Sequence, residues 1–179
     1  GCLGSEEHSD TAPRPDSNTE AVDPDYVSVR SATEPVIFSS DNDPERTANS
    51  RRERYDGDFL ATNDDLDQIE FSSTEAGTEL ASFVEGTDFE TESVMLWSAG
   101  VSECHEIHLT AVTLDGGEQD PHLDFCRRTR PADTSCDEDE LHTVAYAVRF
   151  PVDGQDINSH GSGMSSDCQD RPRVSPFDT

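Results

Sequence analysis

Five cysteines and six histidines are the residues of this chain best suited to chemistry. Cys104, Cys126, Cys136 and Cys168 fall in the C-terminal half, interleaved with His105, His108, His122, His142 and His160; Cys2 stands apart. Zinc is the first chemistry such a set suggests. His122 and Cys126 share a strand face, and five residues separate Cys136 from His142. However, the common zinc sites rest on closely paired ligands, and no Cys-x-x-Cys pair occurs. His105 and His108 would also point to opposite faces of a strand. Two disulfides with surface histidines are the expected state, with no metal and no cofactor.

Serine chemistry has one candidate, His160-Gly161-Ser162-Gly163-Met164-Ser165. A nucleophile elbow needs glycine two residues to either side of the serine, and position 160 is histidine. The segment reads as a Gly/Ser loop, with Ser162 and Ser165 kept as the residues a hydrolase would use. Carboxylates are too numerous for any pair to be singled out as acid and base. Asp41-Asn42-Asp43, Asp64-Asp65-Leu66-Asp67 and Asp137-Glu138-Asp139-Glu140 offer hard oxygen ligands for calcium. None fits an EF-hand: counting from Asp41, Arg46 takes the glycine position and Arg52 the bidentate glutamate position. Non-specific cation condensation is expected there.

The wider composition sets the environment. Among 179 residues, 40 Asp and Glu face 12 basic residues, a formal charge of −28, and every basic residue is arginine. Nucleic-acid binding is excluded as an expectation, because it needs a basic footprint. No stretch approaches the roughly 20 apolar residues of a bilayer helix. High charge with 31% hydrophobic residues would ordinarily indicate disorder, yet the apolar residues concentrate in strand-like runs over 93–152. A folded domain so charged repels itself in dilute buffer. At about 1 M salt the Debye length falls to about 3 Å, which quenches that repulsion. Excess carboxylate and the absence of lysine, whose long apolar stem they avoid, predict a halophilic protein.

Gly1-Cys2 matches the small-residue-then-Cys junction of a processed lipoprotein signal peptide, so Cys2 is the expected lipidation site. Two hydrocarbon chains there would give stable anchoring to the extracellular face of a membrane. Residues 1–34 follow as an acidic, proline-containing tether too poor in apolar residues to fold. Residues 35–179 are the expected domain, best defined over 87–152.

Within that domain, Pro35–Phe38 and Asp58–Thr62 suit short strands, and Asp41–Arg54 a charged loop. Asn63–Ile69 suits a short helix capped by Asn63, with aspartates at its positive end. Thr78–Glu85 places Leu80, Phe83 and Val84 at helical spacing before Gly86. The period then becomes two. Ser93–Ser98 is an apolar run fit for a buried strand. Cys104–Leu114 alternates, slips near Thr110–Ala111 as at a bulge, and resumes. Asp115-Gly116-Gly117 signals a turn. His122–Arg130 sends Leu123 and Phe125 inward, and Thr143–Val152 aligns Val144, Tyr146, Val148 and Phe150. The predicted fold is mainly β with two short helices, an antiparallel β-sandwich or open barrel preceded by a disordered tether. A hairpin of 104–114 with 121–130 brings Cys104 near the loop holding Cys136. That favours Cys104–Cys136 and Cys126–Cys168, with Cys126–Cys136 as the runner-up.

The stretches Thr87–Phe89 and Ser93–Leu96, Cys104 with Ile107 and Leu109, Phe125-Cys126, Cys136 and Val148-Arg149-Phe150-Pro151 resemble those of uncharacterised secreted lipoproteins of extremely halophilic archaea. More distantly, their order is similar to the C-terminal β-domain of a protease-complex accessory subunit. The resemblance covers 87–152, rests on structural positions, and implies a small β-sandwich used for protein contacts. The expectation is therefore a cell-surface lipoprotein acting non-enzymatically as a binding or structural module, its partners a membrane and a surface protein. The alternative is an extracellular hydrolase or zinc enzyme using the His- and Ser-rich loops.

Overall fold

The computed structural model describes residues 19–21, 25–32, 35–39, 57–115, 120–157, 159–166 and 168. Ten strands are described: β1 (Thr19–Ala21), β2 (Asp25–Ser31), β3 (Ile37–Ser39), β4 (Phe59–Leu60), β5 (Ile69–Phe71), β6 (Ser93–Ser102), β7 (His105–Asp115), β8 (Pro121–Thr129), β9 (Leu141–Phe150) and β10 (Gly161–Ser165). Two α-helices, α1 (Asn63–Leu66) and α2 (Glu75–Glu85), and a 3-10 turn at Gly154–Asp156 complete the order. One four-stranded sheet runs β1-β7-β8-β10 and a second β2-β9-β6-β4; β3 and β5 form a two-stranded ribbon.

The two large sheets are a sandwich and do not close into a barrel. Residues of period two explain the join. Met95, Trp97, Ala99 and Val101 of β6 and Val144, Tyr146, Val148 and Phe150 of β9 face Ile107 and Val112 of β7 and Leu123 and Phe125 of β8. The Trp97 and Phe125 rings stack at 4.0 Å between centroids, and Tyr146 meets Phe125 at 5.1 Å. The intervening residues of the second sheet also find cover. Val29, Leu60, Val94, Leu96, Ala145 and Ala147 pack beneath Leu80 and Val84 of α2 and Val36 and Ile37 of the ribbon. Burial on both faces is why the Ser93–Ser98 run is continuously apolar rather than alternating.

Alternation in β7 slips where expected. Leu109 pairs with Phe125 and Ala111 with Asp124, so Thr110 is the extra residue of a bulge. Thr110 Oγ1 donates to the Asp124 carbonyl at 2.9 Å, which ties the bulge down. Helix α1 is capped by Thr62 rather than Asn63: Thr62 Oγ1 accepts from the Asp65 amide while the Asp65 carboxylate accepts from the Thr62 amide. This helix ends at Leu66, and Ile69 opens β5 instead of extending it. Helix α2 begins three residues earlier than its apolar spacing suggests, because Thr74 caps it. No basic residue lies in its last turn; Arg149 of β9 supplies one from across the sheet, donating to the Phe83 carbonyl at 2.9 Å with its guanidinium 4.3 Å above the Phe83 ring.

The expected tether, 1–34, needs correction at its C-terminal part. Residues Asp25–Ser31 form β2, paired in unbroken antiparallel register with Arg149–Thr143. Val27 and Val29 supply the apolar alternation that buries this strand's inner face, and the neighbouring acids and proline conceal it in composition. A second departure is β10, which pairs with β8 in parallel, whereas a Gly/Ser loop is expected there. Glycine permits it: a Cβ on Gly161 would stand 2.9 Å from His122 Nδ1, and one on Gly163 2.9 Å from Asp124 Oδ1.

Candidate functional site

Cys2 lies outside the described residues. The other four cysteines are brought together in two pairs, Cys104 with Cys136 and Cys126 with Cys168, with Cα separations of 5.2 and 5.0 Å. Their placement follows from strand register. Cys126 lies on the face of β8 opposite Leu123 and Phe125, beside Ser165 of β10, so Cys168 is delivered to it by the strand it clamps. Cys104 lies in the β6–β7 turn, and its carbonyl accepts from the Arg130 amide at 2.8 Å, which brings the 131–140 loop alongside.

The histidines are dispersed rather than convergent. His108 faces Glu106 at 3.2 Å, His122 faces Asp124 at 3.4 Å, and His160 stacks on Phe59 at 5.7 Å. His142 accepts from Arg30. Among the described residues, no three His, Cys, Asp or Glu side chains come close enough to hold a metal ion. Of the calcium candidates, Asp41-Asn42-Asp43 lies outside the described residues. Asp65 is used as a cap, and Asp137 Oδ1 accepts from the Asp139 amide. Ser162 pairs in register with Leu123, an inward position, and Ser165 with Cys126. A cleft of about 320 Å³ lies elsewhere, lined by Thr62, Asn63, Thr87, Asp88, Phe89 and Glu90. Both hydroxyls of this lining are engaged, Thr62 Oγ1 with Asp65 and Thr87 Oγ1 with Arg149 and the Phe83 carbonyl.

The corner where β6 turns into β7 is the most heavily wired polar region. Arg30 of β2 reaches it from the sheet edge. Its Nη1 donates to the His105 carbonyl at 2.8 Å, and its Nη2 to the carbonyls of Ser102 and Glu103 at 3.2 and 3.1 Å. Its Nε donates to His142 Nδ1 at 2.8 Å. Tyr146 Oη donates to the Ile107 carbonyl at 2.7 Å. The edge of β7 is thus satisfied by side chains of the other sheet. Burial and the nearby Arg130 guanidinium pull Arg30 below its ordinary pKa, against Glu106 and Glu103, which pull it up.

Beside this corner, β8 ends in Arg127-Arg128-Thr129, and Arg130 follows it. Register sets Arg127 opposite Ile107, Arg128 opposite Glu106 and Thr129 opposite His105. Arg127 and Arg128 are exposed, and among the described residues neither forms an ion pair or hydrogen bond. Arg130 is largely covered. Its Nε lies 3.6 Å from Glu106 Oε1 and makes no hydrogen bond within the described residues. On its other side β8 is paired with β10 only as far as Cys126. Arginines concentrated at a strand edge that no described residue pairs on this side stand out in a chain of this charge. The sequence reading gave them no role; the signal available was the Arg-Arg-x-Arg run itself. No protein-family model, no curated protein and no solved structure matches this chain.

Proposed function

We propose that this chain is a halophilic, lipid-anchored protein of the extracellular cell surface whose domain acts without catalysis, as a binding or structural module. The observation that carries the reading is the pairing of all four C-terminal cysteines in a chain of charge −28 with no lysine. Disulfides persist in oxidising compartments, and a carboxylate shell with arginine as its only base suits concentrated salt. The disulfides fasten the β6–β7 corner to Cys136 of the 131–140 loop and the segment after β10 to β8. The Gly1-Cys2 dipeptide offers a thiol outside both pairs for a lipid. An anchor there and an exposed polar edge on the domain suit a module that meets other molecules at a surface.

Intact-mass and peptide mass spectrometry of native protein from isolated membranes tests this directly. The expected result is a lipid mass on Cys2 and two disulfide-linked peptide pairs. Four free thiols with bound zinc, or an unacylated cytosolic protein, would overturn it in favour of a metalloprotein.

A further inference from the structure

We propose that Arg127, Arg128 and the open edge of β8 beside them form a docking site for an extended, carboxylate-rich segment of a partner polypeptide. The proposal rests on reading the domain as a binding module and adds to it the chemistry of the partner. Three observations lead to it. First, the charge is complementary: Arg127 and Arg128 form no ion pair among the described residues, Arg128 standing opposite a Glu106 that is already engaged by His108 and Arg130. Second, both are exposed at the end of a strand whose far neighbour, β10, stops at the Ser165–Cys126 pair. Third, the disulfide from Cys126 to Cys168 ties the chain after β10 back to Cys126, and beyond that point no described residue pairs with Arg127–Thr129 on that side.

These features favour a polypeptide over a lipid surface. An open edge can accept main-chain hydrogen bonds from an added strand, which lipid headgroups cannot exploit.

The geometry selects a pattern within the partner. Adjacent strand residues point to opposite sheet faces, so Arg127 and Arg128 straddle the edge. Two consecutive acids in an added strand would likewise point to opposite faces and meet one guanidinium each. The planar fork of arginine pairs with carboxylate through two parallel hydrogen bonds, a contact that outlasts the screening of long-range attraction.

The test is binding of a labelled Thr-Val-Glu-Glu-Val-Thr peptide to the full chain in molar potassium chloride, followed by fluorescence anisotropy. Controls are the Gln-Gln version of the peptide and vesicles of phosphatidylglycerol. The wild type should bind the Glu-Glu peptide in preference to both. The R127Q/R128Q double variant should bind about tenfold more weakly or worse. R127K/R128K, which keeps the charge and loses the fork, should recover only part of the affinity. Disulfide mapping and thermal melts of each variant report whether the fold is intact, and both positions are exposed enough for substitution to leave it so. A folded wild type that ignores the peptide, binds both peptides equally, or binds only vesicles overturns the proposal. None of these results alters the mass-spectrometric test of anchoring and disulfides, so the two readings fail separately.

Discussion

Arg30 Nε donates to His142 Nδ1 at 2.8 Å, joining the edge strand β2 to the first turn of β9. Because an arginine Nε can only donate, His142 Nδ1 is the acceptor, and the ring proton is on Nε2, 3.7 Å from Glu140. The same guanidinium holds the carbonyls of Ser102, Glu103 and His105, so one side chain from the edge fastens the corner between the two sheets.

Removing that side chain leaves three carbonyls and an imidazole without their donor. Arg30→Ala should destabilise the domain by about 2 kcal/mol, as expected for losing part-buried hydrogen bonds from a charged donor, and His142→Ala by about 1 kcal/mol. The two losses should be less than additive, since both variants break the Nε–Nδ1 bond. Denaturant unfolding of the single and double variants measures this coupling; full additivity would mean that the bond contributes nothing.

The disulfides separate in their effects. Sequence separations of 32 and 42 residues correspond to roughly 3–4 kcal/mol each by loop-closure entropy. Cys104→Ser with Cys136→Ser should loosen the corner and lower global stability. Cys126→Ser with Cys168→Ser should chiefly free β10, seen as faster amide exchange over 161–165 and at its β8 partners. Peptide mapping without reduction distinguishes these pairs from Cys126–Cys136.

Tyr146 gives a dependence on alkaline pH. Its phenol is buried against Phe125 and donates to the Ile107 carbonyl, and burial, reinforced by Tyr26, raises its pKa to about 12. An unfolded tyrosine ionises near pH 10. The folded state therefore keeps its advantage below about pH 10 and loses it as pH rises toward 12. Tyr146→Phe should lose about 1 kcal/mol at neutral pH through the missing hydrogen bond, and its stability should decline less between pH 10 and 12. Urea unfolding across that interval reads both effects.

Much of this architecture is legible in the residues, and the parts that are not have identifiable physical causes. Strands β6 to β9 declare themselves because long apolar runs and period-two alternation are set by burial within a few residues. The slip at Thr110 is visible for the same reason. Cysteine pairing follows from hairpin register once β7 and β8 are placed. Strand β2 is hidden because its small Val27 and Val29 alternation sits among acids and proline, and pairing with β9 together with packing against α2 stabilises it. Strand β10 is hidden because Gly161 and Gly163 serve close approach to His122 and Asp124, which local composition does not encode. Thr62 displaces Asn63 as a cap because the reciprocal Thr62–Asp65 bonds satisfy two amides at once. The arginine site depends on which carboxylates come near in space, and spacing along the chain carries no such information.

The proposed halophilic character requires that dense electrolyte screen the carboxylates around this sandwich. Trp97, 2% exposed and stacked on Phe125, reports on the packing of the two sheets. Its fluorescence, followed with the far-UV spectrum while the oxidised protein is dialysed from molar potassium chloride to dilute buffer, is the direct measurement. The account predicts cooperative loss of the buried Trp97 signal together with the β spectrum, both restored when salt is returned. A native Trp97 signal and an unchanged β spectrum in dilute buffer would contradict it.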